Sequence, residues 1–122
     1  MSRILIIEDD PDFREMLREM LERSGYKVSI AVDGSDGVRR AEMDMFDLVI
    51  TDIIMPEKEG LETILELRKR IPGCKIFAIS GGGRSSAGNY LKTAEYFGAL
   101  RTFQKPFDRE ELLEAIRMVL GN

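Results

Sequence analysis

Short apolar runs alternate with amphipathic segments along the chain. Apolar runs of strand length occupy residues 3–7, 27–31, 48–51, 75–80 and 101–104. Such continuous runs are typical of strands buried on both faces of a parallel sheet. The run at 27–31 is less apolar than the others, which indicates an edge strand. The sequence therefore predicts five strands, the second of them at an edge.

The segments between the strands carry apolar residues at helical spacing, so a helix is predicted after each strand. Their ends are marked by Ser24-Gly25, Pro72-Gly73 and Gly98, and Asp108 is a suitable N-cap for the last helix, with Glu111 completing a capping box. The positions that define the helices are Phe13, Met16, Leu17, Met20 and Leu21; Val38 and Ala41; Leu61, Ile64, Leu65 and Ile71; Tyr90, Leu91, Ala94 and Phe97; and Leu112, Leu113, Ile116 and Val119.

Strict alternation of strands and helices predicts an α/β fold with an open, mostly parallel, doubly wound sheet. The 122 residues suit a single domain, 1–122, because the chain is too short for two ordinary domains and no linker or repeat interrupts the pattern. In sheets of this kind ligands bind outside the carboxyl ends of the strands. The residues at those ends are therefore the first candidates for function.

Composition excludes several classes of function. A net charge of −4 gives no basic surface for nucleic acid, and no apolar run is long enough to span a membrane. The amino terminus does not resemble a signal peptide. Cys74 is the only cysteine, so no internal disulfide can form and a cytoplasmic location is expected. The chain has no histidine, which excludes histidine-based catalysis, histidine metal ligation and a role as a phosphohistidine carrier.

Acidic, hydroxyl and basic side chains follow the predicted strands. Glu8, Asp9 and Asp10 follow the first, Asp52 ends the third, Ser80 the fourth, and Lys105 comes after the fifth. Carboxylates that cluster in one crevice repel one another unless a cation joins them, and an oxygen-only ligand set suits Mg²⁺. A carboxylate beside Mg²⁺, an ammonium and a hydroxyl is a suitable nucleophile site for phosphoryl transfer.

Four segments carry a resemblance to a known family: "ILIIEDDPDFREML", "DLVITDIIMPEKEG", "IFAIS" and "FQKPF". In order and spacing they resemble the receiver domain of bacterial two-component response regulators, over nearly the whole chain. The length suggests a stand-alone, chemotaxis-type single-domain receiver. The resemblance implies a flavodoxin-like (βα)5 fold with strand order 2-1-3-4-5.

The resemblance also implies roles for individual residues. Asp52 is the expected phosphoacceptor, and Glu8 and Asp9 form the acidic pair. The implied Mg²⁺ ligands are Asp9, Asp52 and the backbone carbonyl of Ile54, with Glu8 reaching the water shell of the metal. Ser80 and Lys105 are expected to contact the phosphoryl group. The Lys105–Pro106 bond is expected to be cis, so that the lysine turns back into the crevice. No further cofactor is expected.

The expected partners are a histidine kinase or histidine phosphotransfer protein as donor and a downstream protein target, with no direct nucleic-acid or membrane contact. The implied output surface is the fourth helix, fifth strand and fifth helix, a region that includes Tyr90, Tyr96, Phe97, Arg101 and Phe103. The protein is expected to be no enzyme beyond its own phosphorylation and slow dephosphorylation. A monomer or a weak, phosphorylation-linked dimer is expected.

The chain departs from the family pattern at several positions. Glu8 stands where aspartate is more common. Gly81 to Gly83 follow Ser80, which gives that loop unusual backbone freedom. Thr102 occupies a position that is aromatic in many receivers, so the usual aromatic part of the switch is not expected. Ile54 and Gly82 flank the expected path of an attacking water, and neither side chain can hold that water. A long-lived phosphorylated form is therefore predicted.

Three alternatives remain open from the sequence. A degenerate receiver would bind partners without being phosphorylated. A Mg²⁺-dependent phosphatase of the haloacid-dehalogenase kind would also use a strand-end aspartate, but it needs a second acid where this chain has Ile54. A nucleotide-binding module is suggested only by the glycines after Ser80, because neither GxGxxG nor GxxxxGK[ST] is present.

Overall fold

A computed structural model of the chain describes residues 2–53, 60–80, 92, 94–95 and 97–121. The strands and helices alternate, as the sequence predicts. Their bounds are β1 Arg3–Ile7, α1 Pro11–Arg23, β2 Lys27–Ala31, α2 Gly34–Met43, β3 Leu48–Asp52, α3 Gly60–Arg70, β4 Ile76–Ser80, β5 Arg101–Gln104 and a C-terminal helix Arg109–Leu120.

The strands form one parallel sheet in the order β2-β1-β3-β4-β5, which confirms the predicted topology. The second strand is at an edge, as its weaker apolar character indicates. Ile7 on β1 lies opposite Thr51 on β3, and Asp52 lies opposite Ile79 on β4. This register brings the residues that follow β1, β3 and β4 to the same edge of the sheet.

Alternate residues of each strand enter one of two apolar clusters, one on each face of the sheet. On β1, Ile4 and Ile6 belong to the cluster beneath α1 and the C-terminal helix. Leu5 and Ile7 belong to the cluster beneath α2 and α3. Both faces are therefore covered, which explains why the strands are continuous apolar runs rather than alternating ones. Cys74 lies partly buried at the border of the second cluster.

Side-chain caps and glycines define several helix ends. Asp10 accepts a hydrogen bond from the backbone N–H of Asp12, and the predicted cap Asp108 accepts one from Glu110. Gly25 follows α1 with a φ of 96°, a conformation that glycine adopts without strain. Asp33 caps α2, so Gly34 begins the helix rather than completing a turn before it.

Among the described positions of the predicted helical pattern, two apolar side chains are exposed. Met16 on α1 is 45% exposed and Leu65 on α3 is 47% exposed. Both lie at the margin of an apolar stripe, where helical spacing predicts the helix correctly but does not determine burial.

Part of the predicted structure lies outside the described residues. The fourth predicted helix is described only at residues 92, 94, 95 and 97, all of which are helical. Ile54, Tyr90 and Tyr96 lie outside the described residues, as do Gly81 to Gly83. Within the described part of the chain, no helix combines the length and apolar character that a membrane crossing needs.

Candidate functional site

Three of the predicted site residues are buried where the central strands end. Glu8 follows β1, Asp52 ends β3 and Ser80 ends β4, and each is almost entirely shielded from solvent. Asp9, the next residue after Glu8, is exposed. The strand register accounts for the placement, since Ile7 and Thr51 are opposite one another and Glu8 and Asp52 come directly after them.

Lys105 joins the two buried carboxylates. Its Nζ donates to Glu8 Oε1 at 3.0 Å and to Asp52 Oδ2 at 3.2 Å. The backbone N–H of Lys105 donates to the carbonyl oxygen of Ser80 at 2.8 Å, which fixes the start of the β5-to-helix connection against the end of β4. The Lys105–Pro106 peptide bond is cis, which confirms the sequence-based expectation.

The first turn of α1 forms the adjoining wall of the site. The aromatic ring of Phe13 lies beneath the Lys105 ammonium, with 3.9 Å between Nζ and the ring centroid. Arg14 Nη1 donates to the backbone carbonyl oxygen of Glu8 at 3.0 Å. The backbone N–H of Asp10 donates to Glu8 Oε2 at 3.1 Å. The Glu8 side chain is therefore held at both carboxylate oxygens, and its backbone is held separately.

The electrostatics of the site follow from burial. Burial is the main cause that raises the pKa of Glu8 from 4.5 to about 7, and the negative charge of Asp52 adds to the rise. The Asp10 N–H and Lys105 oppose the rise without cancelling it. Burial on its own would lower the pKa of Lys105, but the charges of Asp52 and Glu8 outweigh burial and raise it. Lys105 is therefore held as a cation between the carboxylates.

The three predicted acidic residues are close enough to share a metal ion. Glu8, Asp9 and Asp52 each offer a carboxylate oxygen, and these oxygens lie within 4.8 Å of one another. Two of the carboxylates are buried and one is exposed, so the group opens to solvent on the Asp9 side. An all-oxygen donor set with net negative charge suits a hard divalent cation such as Mg²⁺.

The structure thus brings together Glu8, Asp9, Asp52 and Lys105, and it has Ser80 at the end of the neighbouring strand. Two neighbours of the site are not predicted from the sequence. The helical spacing places Phe13 in an apolar stripe, and no pattern singles out Arg14. The signal that could have found them is their position in the first turn of a helix that starts directly after the acidic end of β1, since this turn must border the crevice.

Comparison with known sequences gives a consistent family match. A family model described as the response regulator receiver domain matches residues 4–117. The response regulator receiver protein CpdR of Brucella abortus is 32% identical over 120 residues, which cover 98% of this chain and 98% of CpdR. The response regulator ArlR of Staphylococcus aureus is 35% identical over 121 residues, and the chain covers 53% of ArlR. Against the transcriptional regulatory protein CpxR of Klebsiella pneumoniae, identity is 32% and the chain spans 50% of the relative.

Solved structures give the same picture. The response regulator protein TrrA from Thermotoga maritima, in complex with Mg(2+)-BeF, superposes with a TM-score of 0.87 at 32% identity, covering 98% of this chain and 100% of TrrA. A CheY-like response regulator receiver domain protein from Methanospirillum hungatei has a TM-score of 0.87 at 31% identity, covering 99% of this chain and 94% of that one. The predicted flavodoxin-like fold is confirmed.

Proposed function

The chain belongs to the response regulator receiver family of two-component signal transduction, and from this premise we propose that Asp52 accepts a phosphoryl group from phosphohistidine with the help of Mg²⁺. The observation that supports the proposal most is the ammonium of Lys105, which contacts both Glu8 and Asp52. A buried carboxylate beside a fixed cation is a suitable acceptor, because the cation offsets the charge that the phosphoryl group brings.

The transfer forms a bond between an Asp52 carboxylate oxygen and phosphorus, while the N–P bond of the donor phosphohistidine breaks. The imidazole, protonated on its other nitrogen, leaves as a neutral ring. Lys105 lies within hydrogen-bond distance of the accepting carboxylate and pairs with a phosphoryl oxygen. The Ser80 hydroxyl donates to another. The burial of Asp52 excludes most of the surrounding water from the nucleophile.

The residues that would hold the metal are Asp9, Asp52 and the backbone carbonyl of Ile54, with Glu8 reaching its water shell. Bound there, Mg²⁺ would supply positive charge to offset the charge on the phosphoryl oxygens. The close approach of the Glu8, Asp9 and Asp52 oxygens supports the carboxylate part of this ligand set. The Mg(2+)-BeF complex of the related TrrA supports the same choice of metal.

Receiver domains interact with histidine kinases and with downstream targets. For this chain we propose a cytoplasmic location and, as donor, a histidine kinase or histidine phosphotransfer protein. The proposed output surface lies around the fourth helix, β5 and the C-terminal helix. Phe103 is buried, whereas Phe97 and Arg101 are both partly buried, so among the described candidates only these two offer surface to a partner. We propose that residues 1–122 act as one unit and catalyse only their own phosphorylation and its slow loss.

Incubation with acetyl phosphate tests the proposal without any kinase. We expect a mass increase of one phosphoryl group in the presence of Mg²⁺, and none in EDTA or in Asp52→Asn. Asp47→Asn is the matched control, because Asp47 is an exposed aspartate just before the opposite end of the same strand. Phosphorylation of Asp52→Asn would contradict the assigned acceptor, and undiminished uptake in EDTA would contradict the metal. A parent protein that takes up nothing would instead be a degenerate receiver.

A further inference from the structure

Phe13 makes a direct contact with the most important cation of the site. Its ring centroid is 3.9 Å from Lys105 Nζ, well within the range in which a ring attracts an ammonium through its electron-rich face. The same ammonium donates to Glu8 and Asp52. Lys105 is therefore bounded by two carboxylates and by one aromatic face.

The Phe13 ring is itself held in place by other phenylalanines. It packs edge-on against Phe107, with 5.8 Å between centroids and an interplanar angle of 84°. Phe107 packs against Phe103 at 6.5 Å, and Phe103 against the fully buried Phe77 at 5.6 Å. This aromatic row, Phe13–Phe107–Phe103–Phe77, runs from the Lys105 ammonium to the core of the sheet. Each edge-on or tilted contact restricts the next ring, so Phe13 is a fixed surface.

A groove beside Lys105 offers its ammonium an alternative position. A groove of about 660 Å³ lies between α1 and residues 105–109, and Lys105 and Phe13 are both among its lining residues. Glu19 also lines the groove and offers a competing carboxylate. The face of Phe13 therefore adds to the pull of Glu8 and Asp52 and helps to keep the ammonium over Asp52 rather than in the groove.

We propose that Phe13 is a positioning residue for phosphoryl uptake, acting through Lys105. The inference rests on the proposed function, in which Lys105 pairs with the phosphoryl group on Asp52. The ammonium already donates to an Asp52 oxygen while it lies on the ring, so its resting position is next to the place where the phosphoryl oxygens arrive. The ring thus accelerates uptake by holding the Lys105 ammonium where the phosphoryl group brings negative charge.

The test measures the rate of uptake from acetyl phosphate at saturating Mg²⁺. Phe13→Leu should slow uptake about threefold to tenfold. Phe13→Tyr should keep the rate of the parent protein, because only this variant retains an aromatic face. Replacement of Phe13 by mono-, di- and trifluorophenylalanine keeps the shape of the ring while withdrawing electrons from its face. The logarithm of the rate should fall steadily along this series. In NMR spectra, the ε-methylene protons of Lys105 should lose their ring-current shift in Phe13→Leu.

Phe46 supplies the matched control. It is also a partly buried phenylalanine beneath a cation, with Arg3 Cζ 5.2 Å from its centroid, but it lies at the opposite end of the sheet. The same substitutions at Phe46 should leave the rate unchanged. A flat or rising rate along the Phe13 series, in a parent that is phosphorylated normally, would overturn the positioning role alone. A parent that takes up no phosphoryl group would overturn the proposed function and the positioning role together.

Discussion

The two ends of the sheet carry ion pairs of similar length that differ in their exposure to solvent. At the amino end, Arg3 makes two hydrogen bonds to Asp44, at 2.8 and 2.7 Å. At the carboxyl end, Lys105 Nζ lies 3.0 Å from Glu8 and 3.2 Å from Asp52. The side chains of the first pair are 31% and 52% exposed, whereas those of Glu8 and Asp52 are 3% and 7% exposed. Distance alone would rank the amino-end pair as the stronger.

Burial reverses this ranking of the two ion pairs by strength. At the amino end, the hydrogen bond from Arg3 is the main cause that lowers the pKa of Asp44, because water still solvates both charges. At the carboxyl end, desolvation raises the pKa of Glu8 even with a lysine in contact. The exposed pair contributes little to stability, and its formation carries little desolvation cost. Burial of Glu8 and Asp52 lowers the stability of the protein, and other contacts in the fold offset this loss. The same burial keeps two carboxylates in position to bind a cation.

Removal of each cation should give the largest difference between the two ends. Lys105→Met leaves two buried carboxylates without their ammonium, and we expect the free energy of unfolding at pH 8 without metal to fall by about 2–3 kcal/mol. Arg3→Met leaves Asp44 in contact with water, so the free energy of unfolding should fall far less than in Lys105→Met. Urea titration followed by circular dichroism measures both.

Addition of Mg²⁺ should affect only one of these two variants. A divalent ion supplies the positive charge that Lys105→Met lacks, so Mg²⁺ should recover part of the loss in this variant. It should leave the loss in Arg3→Met unchanged. A Lys105→Met protein as stable as the parent in EDTA would show that the buried carboxylates do not depend on the ammonium.

The dependence of stability on pH should have opposite signs at the two ends. The pKa of Glu8 is about 7 in the fold against an ordinary 4.5, so the folded state binds this proton more tightly than the unfolded state. Stability without metal should therefore fall as pH rises from about 5 to 8, by about 2–3 kcal/mol in the part that Glu8→Gln removes. The pKa of Asp44 is lowered, so its contribution should be lost only as pH falls below about 4.

The matched variants for this test are Glu8→Gln and Asp44→Asn. Urea titrations between pH 3 and 8 give the difference from the parent at each pH. A Glu8→Gln difference that does not vary between pH 5 and 8 would contradict the raised pKa of Glu8.

Two glycines allow a test of how the backbone supports the site. A Cβ on Gly37 would overlap Ile7 Cδ1 and lie 2.6 Å from Ile7 Cγ1, and Ile7 directly precedes Glu8. A Cβ on Gly73 would meet nothing within 4 Å, but its φ of 86° disfavours alanine. Gly37→Ala and Gly73→Ala should each cost about 1–2 kcal/mol, the first through overpacking and the second through backbone strain.

Only Gly37→Ala should also weaken Mg²⁺ binding, because it displaces the end of β1. Titration of Mg²⁺ by calorimetry distinguishes the two variants. Ile7→Val removes the nearest methyl group and should restore part of the affinity. Equal Mg²⁺ affinity in Gly37→Ala and Gly73→Ala would show that α2 does not support the acidic end of β1.

The fold could be predicted from sequence because its signals are local. The continuous apolar runs of β1 and β3, the cap at Asp108 and the glycine after α1 each determine a short segment. Alternation of these segments then leaves few parallel topologies. Burial at the margins was less predictable, as Met16 and Leu65 show, because helical spacing does not state which neighbour covers a side chain.

The site was predictable in part for the same reason. Glu8, Asp9, Asp52 and Lys105 each end a strand or follow one within two residues, so the topology alone brings them together. Phe13 and Arg14 reach the site from a helix, and their roles depend on the angle at which α1 crosses the sheet. The sequence pattern carries no signal for that angle. The large rise in the pKa of Glu8 likewise depends on the burial that the folded chain creates.

The smallest predicted effect concerns the exposed network around Arg70. Its guanidinium joins Glu42 on α2 at 3.2 Å and Glu66 on α3 at 3.1 Å, so it links two neighbouring helices at the amino end. Because water solvates all three charges, we expect Arg70→Met to lower the free energy of unfolding only slightly in dilute buffer, and by less than any variant above. At 1 M salt, where charges are screened within about 3 Å, the difference should nearly vanish. Lys69→Met removes the same charge one residue earlier and serves as control. A loss in Arg70→Met that exceeds the loss in Lys105→Met without metal would mean that burial does not distinguish the two ends of the sheet.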